Sequence, residues 1–213
     1  MSVPAGAAGF EALTPDVVMD SAERALGRRT SGICRPLTSY INRVYEIGLE
    51  DGGHVIAKFY RPGRWSREAL QDEHDFLREL AADEIPVVAP LADAAGATLH
   101  DEGGICFALF PRMGGRPCDE PSREEWRQIG RLIGRIHAAG ARRPAAHRIV
   151  IDPRESSRQH LDFLRGSGAI PREVAGRYLD AAQRLLDCIA PRFDGAARQR
   201  LHGDLHRMNL LWR

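Results

Sequence analysis

LHGDLHRMNLLWR, residues 201–213, holds the densest cluster of polar side chains in the chain. His202-Gly203-Asp204-Leu205-His206-Arg207-Met208-Asn209 lies between apolar Leu201 and the strand-like Leu210-Leu211-Trp212, a pattern that predicts a loop running into a strand. A carboxylate at 204 can take up a proton, and an amide oxygen at 209 can bind a hard cation. The D-x4-N spacing lets a loop fold back so that both groups face one centre. Taken alone that pair is a weak signal, whereas the enclosing H-G-D-L-H-x-x-N is far more specific. Two other readings of these residues stay open. One is a polar turn in which His202 and Asp204 cap backbone amides; the other is a His/Asp ligand set for metal-dependent phosphoester chemistry. The latter needs further His/Asp clusters upstream, and none with metal-ligand spacing occurs.

The composition narrows the setting. Thirty basic residues against twenty-nine acidic ones leave a formal charge of +1, which gives no electrostatic reason to expect nucleic acid or an anionic membrane as partner. Hydrophobic residues make up 43% of the chain, enough for a core, and no apolar run reaches the roughly 18–20 residues of a membrane span. MSVPAGAAGFEALTPD at the start lacks the blocks of a secretory signal, and Cys34, Cys106, Cys118 and Cys188 form no CxxC pair. The expectation is a cytoplasmic monomer with reduced thiols and no zinc. Of the basic residues only Lys58 is a lysine. In so Arg-rich a chain, a retained Lys marks a position that needs a compact ammonium charge rather than a planar fork.

Outward from these two points the elements alternate. Residues 1–13 read as a loose leader, and Thr14-Pro15-Asp16 starts a helix ending near Gly27. β-type segments begin at Ile33, with strands predicted at Arg43–Leu49 and His54–Tyr60 around Asp51-Gly52-Gly53, and at Val87–Leu91 and Ile105–Phe110. Ser66–Ala82 is predicted helical. Gly and Pro in PRMGGRP, residues 111–117, mark a linker, after which helices are predicted at Ser122–Ala139, Pro153–Arg165 and Arg172–Ile189. Trp126, Ile129, Leu132, Ile133 and Ile136 predict a buried stripe, and His137 at its end reads as a packed histidine. The arginines at 61, 64 and 67 beside Trp65, and the pair Arg142-Arg143, read as solvated and receive no role. The fold class is α+β, with a β-rich lobe over residues 1–112 and a helical lobe over 113–213.

Lys58 lies inside the strand VIAKFY, and Glu73 follows in the next helix, with Asp72 and Asp75 as neighbouring alternatives for its partner. A strand Lys paired with a helix Glu is how kinases hold the α/β-phosphates of ATP, and D-x4-N matches the spacing of their catalytic loop. LTSYINRVYEI, VIAKFYRPGRWS, EIPVVAPL, FALFPRMGGR, IGRLIGRIH and LHGDLHRMNLLWR together resemble the stress response kinase A family of Ser/Thr protein kinases, in the aminoglycoside-phosphotransferase superfamily. The resemblance runs from Thr14 onward and implies a protein-kinase-like two-lobe fold. It implies Asp204 as proton acceptor, Asn209 as a Mg²⁺ ligand, Ser39 as a contact to the ATP phosphates, and FPRMGG as the hinge that meets adenine.

Two departures accompany the resemblance. The phosphate loop is LTSYINRVY in place of a G-x-G-x-x-G. The family continues past the catalytic loop with a second metal-binding Asp and further helices, which this sequence does not contain. The expectation is therefore an N-terminal portion of a longer kinase, inactive by itself, with the stripe near Trp126 partly uncovered. The acceptor is expected to be a protein Ser/Thr hydroxyl or, alternatively, a small alcohol such as an aminoglycoside, choline or homoserine. A non-catalytic nucleotide-binding or interaction module is the reading of another class.

Overall fold

A computed structural model of the chain describes residues 9–213. The Thr14 hydroxyl accepts from the Val17 amide and Pro15 fits the first turn, so helix α1 (Pro15–Leu26) starts where its cap requires. Its buried face, Val18, Ala22 and Ala25, packs on a five-stranded antiparallel sheet. The strands are β1 (Thr30–Leu37), β2 (Arg43–Leu49), β3 (His54–Phe59), β4 (His100–Glu102) and β5 (Ile105–Pro111), in the order β1-β2-β3-β5-β4. Ile47, Leu49, Val55, Ala57, Phe59, Ile105, Phe107 and Leu109 close this core. Leu13 joins it, so the end of the expected leader is part of the packing. Residues 1–8 of that leader lie outside the described residues.

The other face of the sheet receives helix α2 (Arg67–Ala82), whose cap Ser66 accepts from the Ala69 amide. Leu70 packs with Tyr60, Leu99, Ala108 and Phe110. Phe76 and Leu80 point the other way, to Ile136 and Ala139 of helix α3 (Arg123–Gly140). α2 is thus wedged between sheet and helix. α3 begins with a full capping box, Ser122 and Glu125 each bonding the other's backbone amide. Only part of its predicted stripe is buried: Ile129 and Ile136 are, while Trp126 is 51% exposed and His137 is half-buried.

Two other expectations need correction. Val87–Leu91 is no strand: Pro86 and Pro90 remove ladder donors, and the segment keeps one sheet-like bond, from the Leu91 amide to the Leu109 carbonyl at 2.7 Å. The strand before β2 starts at Thr30 rather than Ile33 and carries a bulge before Cys34. Within the expected linker, β6 (Arg116–Pro117) pairs with β7 (Leu211–Trp212), so the segment after the polar loop is stitched to it.

The chain divides into two compact units, the chain up to His147 together with Gln199–Arg213, and Arg148–Arg198. The boundary expected at 112/113 falls inside the first. The second unit holds a π turn (Pro153–Ser157) and helices α4 (Arg158–Ser167) and α5 (Arg172–Ile189). Its buried side chains include Leu161, Leu186 and Asp152, the last bound by Arg198 at 3.3 Å. Among the described residues no helix is long and apolar enough to cross a membrane.

Candidate active site

Lys58 sits on the central strand β3, opposite Val44 of β2 and Ala108 of β5. β3 alternates strictly: Val55, Ala57 and Phe59 face the α1 core, and Lys58 faces α2 with Ile56. There its ammonium meets the Glu73 carboxylate at 3.3 Å and lies 4.7 Å from the centre of the Tyr60 ring. Of the three acidic residues weighed as partners, Glu73 is the one in contact. Asp72 bonds the backbone amide and ring of His147, and Asp75 accepts from Gln71.

Directly behind this pair is a buried chain that the sequence reading passed over. His74, fully buried, bridges the Tyr60 hydroxyl at 2.8 Å and the Thr98 hydroxyl at 2.9 Å. Burial pushes its pKa down to about 4, so the ring is neutral, with one nitrogen donating and the other accepting. Its place on the helix face of Leu70 and Leu77 was the available signal.

The loop 201–210 folds back as its spacing predicted. The Asn209 amide nitrogen donates to the Asp204 carbonyl at 2.7 Å and to its carboxylate at 3.2 Å. The Asp204 amide donates to His202 Nδ1 at 3.3 Å, and His206 Nε2 stands 3.7 Å from the Asp204 carboxylate. Gly203 takes φ +78°, a left-handed turn that a side chain there would strain. Arg207 is tied to the Asp119 carbonyl. Asp204 is nonetheless open, its side chain 77% exposed. Ser39 is half-buried in the turn between β1 and β2 and, among the described residues, shares no hydrogen bond with the other candidates.

The donor chemistry suits Mg²⁺. With its nitrogen turned to Asp204, the Asn209 amide leaves its oxygen for a cation beside an exposed carboxylate. Mg²⁺ is commonly held by one or two protein oxygens plus phosphates and water. Among the described residues no group of three or more His, Cys, Asp or Glu forms a metal cage.

The arginines read as solvated are mostly engaged. Along α2 and its cap, Asp72, Asp75, Glu79 and Asp83 form an acidic stripe at helical spacing. Arg142 binds Asp83 at 2.6 Å, Arg143 binds Glu79, and Arg200 binds Glu79 at 2.6 Å. Arg67 donates to the Leu99 carbonyl.

The sequence model of the phosphotransferase enzyme family matches residues 33–213. Stress response kinase A of Escherichia coli strain K12 is 36% identical over 205 residues, 96% of this chain and 62% of that protein. Serine/threonine protein kinase RdoA of Salmonella typhimurium is 38% identical over 206 residues, again 96% and 62%. The chain thus spans 62% of the length of these curated relatives. Among solved structures, an amicoumacin kinase in complex with AMP-PNP and Ca²⁺ superposes with a TM-score of 0.66 at 19% identity, covering 92% of this chain and 59% of that one. The fold is the α+β, kinase-like one.

Proposed function

Because the chain belongs to the phosphotransferase enzyme family, we propose that it serves an ATP-dependent kinase of the stress-response type, moving the γ-phosphoryl of ATP to a Ser/Thr hydroxyl of a protein. The observation that carries this reading is the co-occurrence, in one compact unit, of the Lys58–Glu73 ion pair and the folded-back Asp204–Asn209 loop. Either alone is ordinary; in this chain order they match two of the protein parts that kinases use for phosphoryl transfer.

In this reading Lys58, steadied by Glu73, neutralises the α/β-phosphates and fixes the triphosphate. Ser39 donates to the phosphates from the turn above. Asp204 orients the acceptor hydroxyl and takes its proton as the oxygen–phosphorus bond forms and the bond to the β–γ bridging oxygen breaks. Its exposure suits the task, since the acceptor has to reach it. Asn209 would hold Mg²⁺, with Asp204 nearby, and a bound ion would supply positive charge against the phosphoryl oxygens. His206 Nε2 accepts from the Asn209 amide nitrogen at 3.3 Å and so helps hold that amide beside Asp204.

A protein acceptor is favoured by the 38% identity to a relative named as a Ser/Thr protein kinase. The test is transfer from [γ-³²P]ATP by the full-length gene product, with a generic protein acceptor against small alcohols. Mg²⁺-dependent labelling of the protein, lost in Asp204→Asn, is the expected result. Labelling of alcohols alone would move the acceptor to a small molecule, and ATP binding without any transfer would replace the kinase by a nucleotide-binding module.

A further inference from the structure

Arg200 lies at the root of the catalytic loop, four residues before Asp204, and is among the few charged side chains that are buried. Its guanidinium is held on three sides. It donates to the Glu79 carboxylate of α2 at 2.6 Å and to the Ala139 carbonyl of α3 at 3.3 Å, and it stacks over the Phe76 ring of α2 at 4.3 Å. The backbone is fixed as well. The Arg200 amide donates to the Gly140 carbonyl at 3.2 Å, and a Cβ at Gly140 would collide with the Arg200 carbonyl oxygen. Asp72 and Asp75 face the same guanidinium and favour its charged form against burial.

Glu79 and Glu73 belong to the same helix. Six residues of α-helix span about 9 Å and behave as a rigid rod. One end of that rod holds Lys58; the other holds Arg200. We propose that Arg200 is a positioning residue, coupling the helix that orients Lys58 to the loop that presents Asp204, so that the phosphate anchor and the proton acceptor keep one register. This rests on the kinase reading above and adds to it the element that joins its two halves. α2 has a separate hold on the sheet, through Leu70 and His74. Loss of Arg200 therefore frees the loop while leaving the Lys58–Glu73 pair in place, and the damage falls on the transfer step rather than on ATP binding.

The experiment is steady-state transfer by the full-length protein carrying Arg200→Met, or Arg200→Met with Glu79→Leu, which removes the partner charge as well. The expected result is a kcat lower by about tenfold to a hundredfold, the size of a misplacement effect. KM for ATP should stay within about threefold of the parent, the signature of an interaction felt mainly in the transition state. A folded variant with parental kcat, or with KM rising as much as kcat falls, overturns the assignment. If the Met variants do not fold, Arg200→Lys is read by the same criterion, because an ammonium cannot satisfy Glu79 and Ala139 together. A Lys variant that also failed to fold would mark the residue as purely structural and overturn the coupling. Lys58→Met and Asp204→Asn run alongside: if they transfer phosphate like the parent, the kinase reading itself is what fails.

Discussion

Lys58 and Asp204 are carried by opposite kinds of structure. Lys58 stands in the middle of a sheet, with 28% of its side chain exposed, a carboxylate beside it and a buried Tyr60–His74–Thr98 chain behind its partner. Asp204 stands on a loop with 77% of its side chain exposed, held locally by an asparagine, two histidines and a glycine turn. The loop gains its order from its ends: Arg200 buried at one, the β6–β7 pairing at the other. The difference follows from what each residue would have to meet. In the proposed transfer a triphosphate is the same in every turnover, so its anchor can be built into the core. An acceptor hydroxyl must come and go, so the group proposed to receive its proton is the one left open to solvent and placed by what lies on either side.

That contrast is broken most severely at the open end. Asp204→Asn keeps the loop's hydrogen bonds but removes the proposed proton acceptor, and transfer should fall by about 10²- to 10⁴-fold. ATP affinity, measured by calorimetric titration, should be nearly unchanged. Lys58→Met should behave differently: a loss of about a hundredfold or more, shared between weaker ATP binding and slower transfer. If both variants lost only kcat, the division of labour between core and loop would be wrong.

Much of this was legible from residue order. The α1, α2 and α3 boundaries follow from Thr14, Ser66 and Ser122 as caps, and the β2–β3 hairpin from Asp51-Gly52-Gly53, because these signals act over three or four residues. The contact of Lys58 with Glu73 was expected from the kinase-like order of a strand lysine followed by a helix glutamate, and the two side chains meet at 3.3 Å. Long-range partnerships were not legible. Arg142 and Arg143 look like any exposed cations until α3 is laid along α2 and meets its acidic stripe. Arg200 is a single residue before a conspicuous motif, and nothing local says that a carboxylate 121 positions earlier will bury it. Val87–Leu91 misled because its valines suit a strand while Pro86 before it and Pro90 within it do not.

The core half can be probed by pH. His74 has its pKa pushed down to about 4, chiefly by burial, with Lys58 and His100 acting in the same direction and Glu73 and Asp75 against it. In the unfolded chain the ring titrates near 6.5. Between those values the unfolded state binds the proton and the folded state does not, so folding is weakened as pH falls from 6.5 toward 4 and is unaffected above that window. The loss amounts to about 3 kcal/mol by the lower limit. His100, also depressed by burial, adds to it with the same sign. Thermal midpoints of the parent and His74→Gln across pH 4–7 should converge on acidification; parallel curves would show that the buried ring is not the titrating group.

The smallest effect belongs to the support of the loop's far end. Ser122 caps α3 and Glu125 closes the box; Glu125 also binds Arg116, the β6 residue paired with Trp212 of β7. Ser122→Ala removes one exposed cap and should lower stability by about 1 kcal/mol, or about 2–4 °C in Tm. Glu125 keeps its bond to Arg116, so the β6–β7 pairing and the transfer rate should persist. If Ser122→Ala instead cost activity out of proportion to stability, the loop's order would depend on α3's first turn. Asp204 would then be held by a continuous structure reaching from that cap through Arg116 to β7, rather than chiefly by Arg200 at its root.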